Sequence, residues 1–88
     1  MKIKEGFILR RVASSYMALP TGEMTQQKRS VLTLSGSGAF LWRILENGAT
    51  EQELLDALMS EYDVSQDIAK ADIASFINVL LEQNLLDK

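Results

Sequence analysis

The apolar pattern of this chain changes period at residue 35, and that change dictates the order of its secondary structure. Before it, short runs rich in β-branched and large apolar residues alternate with polar clusters. After it, apolar residues recur at helical spacing almost to the end. Alternation belongs to strands and a period near 3.6 to helices. Strands therefore come first and helices follow.

The first run is Phe7-Ile8-Leu9-Arg10-Arg11-Val12-Ala13, and Ser14-Ser15 supplies a turn before Tyr16-Met17-Ala18-Leu19. Pro20-Thr21-Gly22 stops the second run, so the pair reads as a β-hairpin. Residues 21–30 form a polar loop. Val31-Leu32-Thr33-Leu34 then alternates as a third strand, with Leu32 and Leu34 on one face and Val31 and Thr33 on the other.

Each helix announces itself by its cap. Ser35 offers a hydroxyl to the orphan N–H groups of a first helix, whose apolar face is Phe40, Leu41, Trp42, Ile44 and Leu45. Gly36 and Gly38 weaken its first turn, and Asn47-Gly48 stops it. Thr50-Glu51-Gln52-Glu53 is a capping box opening a second helix, in which Leu54, Leu55, Leu58 and Tyr62 recur on one face. Ser65 caps a third helix from about Gln66 to Gln83, with Ala69, Ile73, Phe76 and Leu80 as its stripe. Asn84 suits a left-handed helix end, after which Leu85 and Leu86 fold back apolar contacts.

The expected architecture is α+β, in the order β-β-β-α-α-α. Three helices follow a three-stranded antiparallel sheet, in a winged-helix-like arrangement. At 88 residues the chain is expected to be one domain spanning residues 1–88.

Composition narrows the chemistry. The chain has no cysteine and no histidine, which removes thiolate zinc sites, disulfides, and the commonest general base and metal ligand. Ser35-Gly36-Ser37-Gly38 is the only glycine-rich segment before a helix, but it lacks the lysine of a phosphate loop and the third glycine of a dinucleotide loop. It reads as a cap and turn. Glu51 and Glu53 are absorbed by the capping box, and Glu61, Asp63 and Asp67 read as a solvated acidic surface rather than a metal site. No catalytic residue, metal ligand or cofactor site is expected. The charged N-terminus leads into no signal-length apolar run, and no stretch is long enough for a membrane helix. A cytoplasmic location is expected.

Charge is unevenly spread, with +4 over residues 1–34 and −7 over residues 35–88. That bears on nucleic acid, the usual ligand of a helix-turn-helix. The third helix and its tail carry Lys70 and Lys88 against Asp67, Asp72, Glu82 and Asp87. An acidic recognition helix meets phosphates with repulsion, so no nucleic-acid partner is expected.

A small sheet also leaves edges with unpaired main-chain groups, which an extended peptide can join as an added strand. The apolar arc of the third helix, widened by Ala74, Ile77 and Leu81, is what a groove beside such an edge requires. Packing of those residues on Leu85-Leu86 explains the arc equally well. Periodicity leaves both readings open.

Three segments bring a family into view. They are Gly6-Phe7-Ile8-Leu9-Arg10-Arg11-Val12-Ala13; Leu32-Thr33-Leu34-Ser35 with Gly38-Ala39-Phe40-Leu41-Trp42-Arg43-Ile44-Leu45-Glu46-Asn47-Gly48; and Glu61-Tyr62-Asp63-Val64 with Ala71-Asp72-Ile73, Phe76 and Leu85-Leu86. In this order, and over almost the whole chain, they resemble the PqqD-like family, the precursor-peptide recognition element of ribosomally made, modified peptides. Ser35 stands where that family often has Asn, Gly36 replaces a more helix-friendly residue, and Asn84 sits where glycine is common.

The resemblance implies a non-catalytic domain that binds the leader of a precursor peptide by strand addition. It implies delivery of that peptide to a modifying enzyme, often a radical SAM protein. It assigns main-chain pairing to Val31, Leu32, Thr33 and Leu34. It places Lys70, Ile73, Phe76 and Ile77 along the helix side with Asp72 at the margin, and Lys70 opposite an acid on the peptide. Leu41, Trp42 and Leu45 are left to the core. The competing expectations are a winged-helix transcriptional regulator, another protein-interaction adaptor, and a homodimer formed through a sheet edge.

Overall fold

The computed structural model of the chain describes residues 1–22 and 32–87. Its elements run β1 (Lys2–Ile3), β2 (Phe7–Val12), β3 (Ser15–Pro20), β4 (Leu32–Leu34), α1 (Gly36–Glu46), α2 (Glu51–Glu61), α3 (Gln66–Glu82) and β5 (Leu86–Asp87). The expected α+β order holds, with β2-β3-β4 as an antiparallel meander ahead of three helices. The winged-helix comparison holds only loosely, because β1 and β5 form a second, two-stranded sheet.

The inner face of the meander explains its register. Phe7, Leu9, Tyr16 and Leu32 pack against the core that holds Ala18 and Leu34. In the observed pairing Leu9 lies opposite Ala18, Ala18 opposite Leu32, and Tyr16 opposite Leu34. Opposite residues share a face, and a slip of one residue would turn Met17 and Leu19 inward instead. The register moves the hairpin turn one position ahead of the Ser14-Ser15 expected from composition. Ser15 pairs with Val12, and Ala13-Ser14 make the loop. Ala13 takes a φ of 56°, a conformation that a residue with a Cβ rarely adopts.

The helices start where their caps direct. The Ser35 hydroxyl accepts from the Gly38 N–H at 3.2 Å, and the Ser65 hydroxyl from the Ile68 N–H at 3.3 Å. Thr50 and Glu53 close the capping box, with bonds of 3.1 and 3.0 Å. At the end of α3, Asn84 is left-handed at φ 58°. The Asn84 N–H donates to Leu81 O at 3.1 Å, and the Leu85 N–H donates to Leu80 O at 2.8 Å. These two bonds make a Schellman closure, and Leu80 and Leu85 are both buried beneath it.

β1 and β5 were not expected from sequence. Ile3 pairs with Leu86, the Lys4 N–H donates to Leu85 O at 2.9 Å, and the Ala49 N–H donates to Met1 O at 2.8 Å. The chain's beginning thus ties the α1–α2 link to the tail after α3. Trp42, Leu45, Leu54 and Leu80 are the largest fully buried side chains, so the core reading of Trp42 and Leu45 holds. Among the described residues, no helix is long and apolar enough to cross a membrane.

Candidate functional site

The direction of main-chain groups in the sheet follows from its hairpin. Val12 and Ser15 close a two-residue loop, which makes them a hydrogen-bonded pair, and such pairs alternate along an antiparallel ladder. The Thr21 N–H donating to Gly6 O at 2.7 Å keeps the same phase. Ser15, Met17 and Leu19 therefore point their main chain at β2, while Tyr16 and Ala18 point theirs at β4. On β4, Leu34 faces Tyr16 and Leu32 faces Ala18. Thr33, opposite Met17, is left with its N–H and C=O directed out of the sheet. Among the described residues no strand pairs with that side of β4.

Among the described residues β2 is the other open edge. Its adjacent Arg10 and Arg11 are exposed, one on each face, and charge of this kind discourages a further strand. The edge of β4 carries no charged side chain.

Where β4 runs into α1, the junction faces α3 across a cleft of about 240 Å³. Ser35, Ser37 and Gly38 form one wall, Asp72, Ser75 and Phe76 the other, and Leu41 and Leu58 contribute apolar surface. The α3 wall follows from helical spacing, since Asp72, Ser75 and Phe76 stand at i, i+3 and i+4. Ile68 and Val79, at i−4 and i+7 from Asp72, continue this face and are exposed. No hydrogen bond or ion pair engages Asp72 among the described residues. The cleft is smaller than the roughly 300–1,000 Å³ of small-molecule sites. It has room for a side chain rather than a cofactor, and no group of residues suited to hold a metal ion occurs among the described residues.

The residues expected at a site are only partly brought together. Thr33 presents the open edge, and Asp72 and half-buried Phe76 line the cleft beside it. Leu34 is buried and Leu32 half-buried, both on the inner face. Ile73 and Ile77 are buried in the core at 3% and 6% exposure. Lys70 lies elsewhere, in a depression between α2 and α3 shared with Glu51, Gln52, Leu55, Ile73 and Ala74. Lys70 and Asp72 stand at i and i+2, with only Ala71 between them, which turns them to different sides of the helix. Val31 falls outside the described residues. Ala74 and Leu81 are exposed, so neither reading of the widened apolar arc describes them.

Sequence reasoning missed the cleft contributions of Ser35, Ser37, Leu41, Leu58 and Ser75. The spacing of Asp72, Ser75 and Phe76 was a usable signal. The approach of the β4–α1 junction to α3 was signalled only by the family resemblance, which set the third strand beside the third helix.

A sequence model of the family described as coenzyme PQQ synthesis protein D (PqqD) matches residues 23–86. The solved structure of TbiB1 in complex with the TbiA(beta) leader peptide is similar, with a TM-score of 0.79 and 25% identity, over 99% of this chain and 95% of that one. A lasso peptide synthetase B1 complexed with the leader peptide is also similar in fold. There the TM-score is 0.72 and the identity 20%, over 96% of this chain and 93% of that one. No curated protein matches the chain.

Proposed function

The chain belongs to the PqqD family, and from that premise we propose that it binds the leader of a ribosomally made precursor peptide as a strand added to β4. The observation that carries this reading is the outward-facing main chain of Thr33 beside the cleft of Asp72 and Phe76. It occurs in a fold that TbiB1 shares, and TbiB1 was solved with a leader peptide. Main-chain bonds to the edge supply affinity, and the cleft sorts side chains. Thr33, Asp72 and Phe76 are the proposed contacts, with Leu32 and Leu34 holding the edge strand to β3. Lys70 stands outside this site.

The domain performs no catalysis of its own in this proposal. It acts in the cytoplasm and hands the peptide to a modifying enzyme, a radical SAM protein being one class that fits. The edge is also where a second copy of the chain would pair, so any dimer through β4 competes with the peptide.

The test is fluorescence anisotropy with labelled synthetic peptides covering the N-terminal segments of short open reading frames beside the gene. The proposal expects saturable binding of one such peptide, with its mass unchanged after incubation. Absence of binding across the set, or a mass change produced by this chain alone, contradicts it.

A further inference from the structure

The cleft beside β4 has a chemistry more specific than apolar packing. Among the described residues its one charged group is the Asp72 carboxylate, accompanied by the hydroxyls of Ser35, Ser37 and Ser75, and no cation lines it. The Ser35 and Ser37 hydroxyl oxygens stand 3.1 Å apart, and Ser35 Oγ already accepts from the Gly38 N–H. Leu41, Leu58 and Phe76 give it apolar walls. Such a cleft matches a side chain with an aliphatic stem and a head rich in hydrogen-bond donors, which describes lysine and arginine.

Register says where that side chain comes from. Directly opposite residues of paired strands share a face. A guest residue opposite Leu34 points to the inner side of the sheet, at the end of β4 where Ser35 and the cleft follow. The helical part that builds the cleft has the right sign, because residues 35–88 carry a net −7 and attract a cation before contact, against +4 over residues 1–34.

Resting on the strand-addition reading above, we infer that Asp72 is a specificity-determining residue selecting a leader peptide with a basic side chain opposite Leu34. Asp72 accepts charge-assisted hydrogen bonds from the head, while Leu41, Leu58 and Phe76 cover the stem. Exposure of Asp72 keeps the contribution moderate, at about 1.5- to fivefold in affinity.

The experiment selects a displayed library of random twelve-residue peptides on the full chain and on its Asp72→Lys variant. Circular dichroism verifies that the variant is folded. The wild type is expected to enrich lysine or arginine at one fixed position, and the variant to enrich an acid there. A synthetic peptide of the wild-type consensus then loses about 1.5- to fivefold in affinity for Asp72→Asn. Its counterpart with norleucine at the basic position binds wild type and Asp72→Asn alike. The same consensus from both selections, or a basic position indifferent to Asp72→Asn, overturns the inference and leaves strand addition standing. Recovery of no peptide by either chain overturns both.

Discussion

Substituting proline for Thr33 separates binding from folding, because the Thr33 N–H points away from the sheet. Proline at an edge position whose N–H faces outward removes no ladder bond. Thr33 is exposed, so the fold should lose no more than about 1 kcal/mol. The guest strand fares worse. It loses one main-chain hydrogen bond, worth about 0.5–1.5 kcal/mol, which weakens affinity about two- to thirteenfold before the bulk of the ring is counted. Leu32→Pro is the control, since the Leu32 N–H is directed at Ala18. Losing it leaves a partner in the sheet unpaired and removes a half-buried leucine, at a cost of about 2 kcal/mol or more. For a domain of this size that lowers Tm by about 8 °C or more. The assay pairs peptide anisotropy with thermal melting followed by the emission of Trp42, the single tryptophan and fully buried. Equal losses of Tm in the two variants, or wild-type affinity in Thr33→Pro, would refute the assignment of Thr33 to the open edge.

Three further outcomes follow from the packing. Ile77→Asp places a carboxylate at a position 6% exposed and should cost more than about 3 kcal/mol, read as a fall in Tm of about 12 °C or more. The family resemblance sets Ile77 along the peptide-facing side of the helix, but its core burial makes this change first a folding defect. Thr50→Ala removes the acceptor for the Glu53 N–H and should cost about 1 kcal/mol in urea unfolding with an unchanged slope. Ile3→Asp should destabilise by about 2 kcal/mol or more in the same assay, because Ile3 is 5% exposed and pairs with Leu86.

Most of the fold was legible because its signals are local. Ser35, Thr50 and Ser65 each sit within three residues of the N–H groups they satisfy, and Asn84 needs only its own φ to end α3. The hairpin was legible as a hairpin but not in its register, which the inner face of Leu9, Tyr16 and Ala18 decides and turn composition does not. β1 and β5 were beyond reach, since two-residue strands have no period to detect and pair across almost the whole chain. The site was half legible for a related reason. The helical stripe revealed that α3 has a wide apolar arc, but not which flank meets which neighbour. Ile77 follows Phe76 directly, about 100° further round the helix, and that turn carries it from the cleft into the core.

The central claim is that a peptide joins β4 beside Asp72 and Phe76. An amide chemical-shift titration with the bound leader peptide tests it residue by residue. The account predicts the largest shifts at Thr33, Ser35, Ser37, Asp72, Ser75 and Phe76, with little change along β2 and around Lys70. Shifts centred on Phe7–Val12, or in the depression between α2 and α3, would contradict it.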